Sequence, residues 1–406
     1  MKKVGKNTII YITRDIERAI GCLTIPSIFI ISNETPFAKS VQNAYPDRIH
    51  LIDSPNTLDT HELLAHEETE KLLSTFDSPK ILVFKNTSLI EKWCKKMEYT
   101  LLNPASKLAA SLEEKITQLT TLEKLSELMP RYEKKRIEEI QWLDTPFVLQ
   151  FNHSHTGSGT MIIDAAEKLD ELKNQFPKRE SRIAPLIEGP VFTSNIVVAQ
   201  DTTLTGNISY QITGIKPFTD SAFATIGNDW GAPYRILNES ERTSYDLIAR
   251  EVANTLRNLG WVGLFGIDAI WSTKESRWYL IEINARQPAS TSHESELQNK
   301  IKKDESTLTV LEAHVNALLG EPLDEVTLVK ISNGAQIIQR VTKKITSVTQ
   351  LEEASKKLTE KNFKVIPYNN TEHNSDLLRI QSDTSIIETD REFTDVGIEI
   401  KDIISI

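Results

Sequence analysis

Short apolar runs alternate with amphipathic segments up to about Asn103 of this 406-residue chain. The apolar runs predict strands at residues 8–13, 27–32, 48–53, 80–85 and 99–102. Amphipathic stretches, such as residues 58–75 and 88–97, predict helices between them. Alternating strands and helices are typical of a parallel, doubly wound α/β sheet. The glycine pattern of dinucleotide-binding folds does not follow the first strand, where Arg14-Asp-Ile-Glu-Arg18 stands, so a NAD site is not favoured.

The rest of the chain mixes charged helical segments with separate strands. Apolar residues at three- and four-residue spacing predict helices at 107–120, 122–129, 165–175 and 239–259. Apolar runs predict strands at 147–151, 161–163, 183–187 and 192–198. A helix predicted at 308–319 ends at Gly320-Glu-Pro322, a stop signal that indicates a domain boundary. Beyond it, a strand, a helix at 349–361 and several further strands predict a small α+β module.

Two apolar runs, 263–271 and 278–286, flank a polar turn and predict a β-hairpin. Strand side chains alternate between faces, so Glu282 and Asn284 share one face, and Arg286 follows on it if the strand continues. Folding at the turn brings Asp268 roughly opposite residues 281 and 282. The apolar face would then carry Ile267, Ala269, Ile281 and Ile283. Three oxygen ligands and one guanidinium on the other face suit magnesium and phosphate.

Net charge, apolar content and cysteine count argue against several classes of protein and kinds of site. A formal net charge of -10 lacks the basic footprint of a nucleic-acid-binding protein. The sequence contains no run of the roughly 20 apolar residues that span a bilayer, so neither nucleic acid nor membrane is an expected partner. Cys22 and Cys94 are too few for a disulfide framework or a cysteine-based zinc site. A cytoplasmic location is therefore expected.

A second motif precedes the hairpin by about a hundred residues, at Asn152-His-Ser-His-Thr-Gly-Ser-Gly-Thr160. Gly157 and Gly159 permit a backbone turn that points N–H groups into a concavity, as in loops that cradle phosphates. The motif differs from a Walker loop, because no Lys-Ser/Thr pair follows and both flanks are predicted strands. A plain hairpin turn is the alternative interpretation. Chelation of a transition metal by His153 and His155 is less favoured than a lining role in the loop.

The order of these features resembles that of the ATP-grasp superfamily of ATP-dependent carboxylate–amine ligases. The most specific parts are Gly266-Ile-Asp268 and Glu282-Ile-Asn-Ala-Arg286. The resemblance covers about residues 1–325. It implies a Rossmann-like pre-ATP-grasp domain at 1–105 and an ATP-grasp domain at 106–325, with the nucleotide between two subdomains. Residues 326–406 would form the extra α+β module.

The resemblance also implies roles for individual residues. Asp268, Glu282 and Asn284 would hold Mg²⁺, for which Mn²⁺ could substitute, and Lys115 and Arg286 would be catalytic. Contacts to ATP would come from Lys115, Gln150, His155, Thr156, Gly157, Ser158, Gly159, Thr160, Leu186, Ile187 and Glu188. Gln150 departs from the family pattern, which usually has a second lysine there. Val191 stands where many relatives have a ribose-binding glutamate, for which Glu188 is a substitute candidate.

The function implied is ligation that forms a C–N bond and produces ADP. A carboxylate, with amino-acid or peptide-like substrates favoured, would become an acyl-phosphate that an amine attacks. Two alternatives remain: a nucleotide-binding scaffold without turnover, motivated by Gln150, and a carboxylase or phosphotransferase on the same fold. Segments 209–218, 225–230 and 290–293 are candidates for substrate contacts. A homodimer is left open.

Overall fold

The computed structural model describes residues 8–152, 159–304 and 306–405. Its N-terminal part is a parallel sheet of β1 (Ile9–Ile12), β2 (Ile28–Asn33), β3 (Ile49–Ile52), β4 (Lys80–Val83) and β5 (Thr100–Leu101). The strand order is β3-β2-β1-β4-β5, and every pair is parallel. The predicted doubly wound α/β sheet is therefore confirmed.

Both faces of this sheet are buried, which explains why its strands are continuous apolar runs. Alternate residues of β1 enter two different cores, Ile9 and Tyr11 on one face and Ile10 and Ile12 on the other. Two 3-10 helices, Ile16–Arg18 and Ile20–Cys22, connect β1 to β2. The α-helices between the strands are α1 (Pro36–Ala44), α2 (Thr60–Leu64), α3 (Glu67–Leu73) and α4 (Ser88–Lys96). The single helix predicted at 58–75 is thus two helices. The second begins where the His66 side chain accepts a hydrogen bond from the Glu68 N–H.

A smaller antiparallel sheet follows, built from β6 (Glu133–Arg136), β7 (Phe147–Gln150), β8 (Thr160–Ile163) and β9 (Glu180–Pro185). Its order is β6-β9-β7-β8. The helices of this region are α5 (Ser106–Glu113), α6 (Thr117–Thr121) and α7 (Ala166–Gln175), with 3-10 helices at Glu123–Leu128 and Ile137–Glu139. The prediction of one helix over 107–120 is wrong, because the extended backbone of Glu114 ends α5 and places Lys115 in a turn. The charged strand β6 was not predicted.

A large antiparallel sheet forms the second half of the molecule. Its first strands are β10 (Val191–Val198), β11 (Thr203–Thr205), β12 (Ser209–Thr213), β13 (Thr225–Asp229), β14 (Gly263–Ser272) and β15 (Arg277–Asn284). The helices that accompany them are α8 (Pro233–Ile236), α9 (Glu239–Asn258), α10 (Thr291–Ile301) and α11 (Val310–Leu319). Leu311 and Val315 of α11 join the core on one face of the N-terminal sheet, so the two regions share a hydrophobic core.

The C-terminal residues extend this large sheet. After the short pair β16 (Thr307–Leu308) and β17 (Thr327–Leu328) come β18 (Ala335–Arg340), β19 (Lys364–Pro367), β20 (Asp376–Ser382), β21 (Ile387–Thr389) and β22 (Glu392–Phe393). The order β15-β14-β10-β12-β13-β18-β20-β19 is continuous, with β11 on β10. Helices α12 (Glu352–Glu360) and α13 (Asp395–Ile404) complete this part. The predicted module at 326–406 therefore shares a sheet with the residues before it, and the domain boundaries stay predictions.

No helix in the described part of the chain is both long and apolar enough to cross a membrane.

Candidate active site

The acidic hairpin predicted from the sequence is formed by β14 and β15. Asp268 lies opposite Glu282 in the antiparallel register. An irregularity after Asp268 shifts the pairing, so that Leu280 and not Ile281 lies opposite Ala269. Ile281 is accordingly absent from the core that Leu280 and Ile283 share, and its predicted place there is wrong. A regular alternation cannot anticipate a bulge, which inserts one extra residue into one strand.

Asp268 is the most buried of the three predicted metal ligands, with 7% of its surface exposed. Burial, together with the negative charge of Glu282, raises the pKa of Asp268 to about 6. The Asn284 side-chain amide donates a hydrogen bond to the Asp268 carboxylate at 3.4 Å. The three oxygen-bearing side chains therefore lie together, with the two carboxylates on opposite strands of the hairpin.

Lys115 approaches this group from the turn between α5 and α6. Its Nζ atom lies 2.8 Å from Glu282 Oε1, and its side chain is 14% exposed. Beyond this ion pair, the buried Nζ has no hydrogen-bond partner among the residues that the structure describes. Partial burial tends to raise the pKa of Glu282, but the positive charges of Lys115 and Arg286 outweigh it and lower the pKa. Unused N–H donors on a buried ammonium are available to a phosphate.

The Lys115 turn is held by a residue that the sequence did not single out for a role. Asn152 Oδ1 accepts hydrogen bonds from the backbone N–H groups of Ile116 at 2.8 Å and Thr117 at 3.1 Å. These are N–H groups at the start of α6, which have no partners within the helix. Asn152 lies two residues after Gln150, the last residue of β7, so the turn is fixed to the small sheet.

Arg286 lies two residues beyond the end of β15, in a network of charged groups. Its Nη1 donates a hydrogen bond to Glu113 Oε1, and its Nη2 donates one to Asn284 Oδ1 at 2.9 Å. Lys85 Nζ donates to the other oxygen of Glu113 at 2.6 Å. Sequence reasoning identified Arg286 but missed Glu113 and Lys85, because nothing in their local pattern separates them from solvated charges.

The flanks of the glycine motif are the two predicted strands, β7 and β8, which pair in an antiparallel register. Gln150 Nε2 donates a hydrogen bond to the Thr160 hydroxyl at 3.1 Å, and the Phe151 N–H donates one to the Gly159 carbonyl at 2.9 Å. The other predicted phosphate-loop residues lie outside the described residues: His155, Thr156, Gly157 and Ser158, together with His153.

The predicted adenine-binding segment, Leu186, Ile187 and Glu188, connects the small sheet to the large one. It has no regular secondary structure, and Glu188 is exposed while the other two are half-buried. The Trp271 N–H donates a hydrogen bond to the Pro190 carbonyl at 3.0 Å. This contact places the segment beside β14, the strand that carries Asp268. Val191 is the first residue of β10 and pairs with Ile270.

Three segments considered as substrate contacts have clear structural roles. Residues 209–213 and 225–229 are strands of the large sheet. In the third, the side chains of residues 290–293 are buried. Ser292 donates a hydrogen bond to the Arg18 carbonyl at 2.7 Å, and Ser290 accepts one from Asn195. The structure therefore favours packing over substrate contact for this segment.

A cavity of about 460 Å³ lies on the α6 side of the Lys115 turn. It is lined by Ile116, Thr117, Thr120, Lys134, Asn152, Arg179 and Glu180. None of the predicted metal ligands lines this cavity, so the hairpin site and the cavity are separate features.

A family model described as an ATP-grasp domain matches residues 112–290. The chain carries an ATP-grasp domain. The matched residues span Lys115, the glycine motif, the connecting segment and the whole acidic hairpin. A search of curated protein sequences finds no match.

Solved ATP-grasp structures share the fold of nearly the whole chain. N5-carboxyaminoimidazole synthase from Aspergillus clavatus, in complex with ADP and 5-aminoimidazole ribonucleotide, has a TM-score of 0.68 at 14% identity, covering 98% of this chain and 99% of that one. The Staphylococcus aureus synthetase complexed with ADP has a TM-score of 0.64 at 11% identity, covering 98% and 96%. L-amino acid ligase from Bacillus licheniformis has a TM-score of 0.61 at 14% identity, covering 98% and 97%. At these identities the likeness establishes the ATP-grasp fold, as predicted.

Proposed function

We propose that this protein is an ATP-dependent ligase that activates a carboxylate as an acyl-phosphate and joins it to an amine. The observation that carries the proposal is the convergence of Lys115, Asp268, Glu282 and Arg286 on one hairpin face of an ATP-grasp domain. Phosphoryl transfer depends on positioning and charge neutralisation more than on covalent help from the protein. Two carboxylates for a metal ion and two cations for phosphate oxygens match that requirement.

The oxygen ligands fit magnesium. In the described part of the chain no three His, Cys, Asp or Glu side chains form a metal-binding group. The proposed set is instead two carboxylates and the amide of Asn284, and nucleotide-bound Mg²⁺ commonly takes one or two carboxylates plus phosphate oxygens. The repulsion between Asp268 and Glu282 gives this pair an electrostatic reason to accept a cation. Mg²⁺, when bound, would neutralise charge on the β- and γ-phosphates.

The remaining residues would bind and orient the reacting groups. Lys115 would donate its unused N–H groups to a phosphate oxygen, and Arg286 would stabilise charge on the transferring phosphoryl group. Segment 186–188 would contact adenine through its backbone. Gln150 would supply one neutral hydrogen bond where relatives usually have a lysine, which predicts weaker nucleotide binding than a lysine would give.

We also propose a cytoplasmic location and a homodimer.

The solved neighbours suggest both the main proposal and one alternative. The Bacillus licheniformis protein is an L-amino acid ligase, whereas the Aspergillus clavatus protein is a carboxyaminoimidazole synthase. Small-molecule carboxylate and amine substrates are therefore our proposal, and a carboxylase is the alternative that the second neighbour favours. Fold alone does not decide between them.

An ADP-release screen tests the proposal. Amino acids and small carboxylic acids are supplied in pairs with Mg-ATP, with and without added bicarbonate. The ligase predicts ADP release that requires both members of a pair and is independent of bicarbonate. Release that requires bicarbonate would favour a carboxylase, and tight Mg-ATP binding without any release would favour a nucleotide-binding scaffold.

A further inference from the structure

The Glu113 carboxylate joins two cations from distant parts of the fold. Glu113 is the last residue of α5, and its side chain is 14% exposed. One of its oxygens accepts a hydrogen bond from Arg286, and the other accepts one from Lys85, which follows β4 of the N-terminal sheet. Each oxygen of the carboxylate therefore holds a different cation.

These contacts fix the orientation of the Arg286 guanidinium. Glu113 holds Nη1, and Asn284 Oδ1 holds Nη2 at 2.9 Å. Two contacts on different nitrogens restrict a planar, fork-shaped group much more than one contact does. Asn284 is a proposed metal ligand, so the same arrangement ties the guanidinium to the metal-binding face.

We call the contacts of Arg286 with Glu113 and Asn284 the clamp. Lys85 explains how the clamp can retain a positive charge. Glu113 and Arg286 alone would form a neutral pair with little attraction for a phosphate. Lys85, Arg286 and Glu113 together carry two positive charges and one negative charge, which leaves a net charge of one positive unit. The cluster can thus hold Arg286 in place and still attract an anionic group.

We propose that Glu113 is a positioning residue that holds Arg286 toward the reacting phosphoryl group, with Lys85 keeping the cluster positive. This inference rests on the proposed ligase function for its catalytic consequence. The clamp itself can be tested without turnover.

The first experiment measures how readily Arg286 reacts with phenylglyoxal, an arginine-selective reagent, by peptide mass spectrometry. Glu113→Gln keeps the shape of the side chain but removes its charge. We expect Arg286 to be modified roughly tenfold faster in this variant, corresponding to the loss of one charge-assisted hydrogen bond. An unchanged rate would overturn the clamp.

Glu91→Gln is the matched control for general loosening of α5. Glu91 binds the opposite end of this helix, where its carboxylate accepts hydrogen bonds from the Ser106 N–H and hydroxyl. This variant should lower the melting temperature without changing the modification rate of Arg286. Faster modification in both variants would mean that helix anchoring, and not the Glu113 carboxylate, protects the guanidinium.

The second experiment is a double-mutant cycle on steady-state ADP release with an active substrate pair. We expect Glu113→Gln to lower kcat about a hundredfold, the size of a misplacement of about 1 Å, with little change in KM for ATP. In an Arg286→Met background the same substitution should cause no further loss. If the kcat losses of the two single variants multiply in the double variant, Glu113 does not act through Arg286. If wild-type protein releases no ADP with any pair, the ligase proposal fails, while the phenylglyoxal rates still decide whether the clamp exists.

Discussion

Replacement of Glu282 by Gln separates a metal-binding role from a purely structural one. The Glu282 side chain is 40% exposed and forms its ion pair with Lys115 at 2.8 Å. In Glu282→Gln the amide oxygen can still accept a hydrogen bond from the buried Lys115 ammonium, and the repulsion between residue 282 and Asp268 is lost, so the two effects on the free energy of unfolding oppose each other. The melting temperature of the protein without ligands should therefore change little in Glu282→Gln.

The effect on nucleotide binding should be much larger. A ligand present at about one hundred times its Kd adds about 2.7 kcal/mol to the free energy of unfolding. Removal of a side chain that only supports a metal-coordinating residue lowers metal affinity by about 10–100-fold. Removal of a metal-coordinating side chain such as Glu282 should therefore lower the affinity for Mg-ATP by at least about a hundredfold. At the same Mg-ATP concentration the remaining stabilisation would be about 0.4 kcal/mol. With an unfolding entropy of about 2.1 cal/mol/K per residue, a 406-residue chain shifts by roughly 1.2 °C for each kcal/mol. The ligand-induced shift should therefore fall from about 3 °C to about 0.5 °C.

Thermal melts with and without Mg-ATP measure this difference directly. Glu399→Gln is the matched control, because Glu399 is 41% exposed and forms an ion pair with Lys361 in the C-terminal region. The control should keep the full ligand-induced shift. A full shift in Glu282→Gln as well would refute the assignment of Glu282 as a magnesium ligand.

Three further predictions concern stability and the connecting segment. The buried Asp229 carboxylate accepts hydrogen bonds from four backbone N–H groups and the Ser385 hydroxyl. Asp229→Asn should therefore lower the free energy of unfolding, measured in urea, by about 3 kcal/mol. A loss below about 1 kcal/mol would contradict this account. Burial lowers the pKa of His314 to about 4, below the ordinary value near 6.5, so the unfolded state binds more protons between these values. The contribution of His314 to the free energy of unfolding should therefore fall by about 3 kcal/mol from pH 6.5 to pH 4. His314→Gln should remove that part of the pH dependence. An identical pH profile in the variant would contradict this prediction. Gly189 has a φ of +148°, and a methyl group there would lie 1.9 Å from the Trp271 carbonyl oxygen. Gly189→Ala should therefore displace the connecting segment and weaken Mg-ATP binding measured by calorimetry. An unchanged Kd would contradict this prediction.

The parallel sheet and the acidic hairpin could be predicted because their signals are local. Every residue of β1 is apolar and buried, and side-chain alternation alone places Glu282 and Asn284 on the same face. The same reasoning failed where contacts from elsewhere override the local pattern. The helical spacing of 107–120 gives no sign of Asn152, which lies 36 residues from Ile116 and binds the turn that separates α5 from α6.

The contact between Glu113 and Arg286 also could not be predicted from the sequence. Glu113 and Arg286 are 173 residues apart, and neither has a local pattern that identifies the other. The continuity of the C-terminal strands with the large sheet likewise depends on a long-range pairing, in which Asn228 lies opposite Gln336. Periodicity identifies strands, but it does not identify their partners.

Transfer of labelled oxygen tests the central claim most directly. A carboxylate substrate found in the ADP-release screen is labelled with ¹⁸O in its carboxyl group and incubated with the protein, Mg-ATP and the amine. If the carboxylate is activated as an acyl-phosphate, one of its oxygens leaves with the phosphate, and mass spectrometry should detect one ¹⁸O atom in each phosphate released. Product formation with unlabelled phosphate would contradict activation of the carboxylate by phosphorylation.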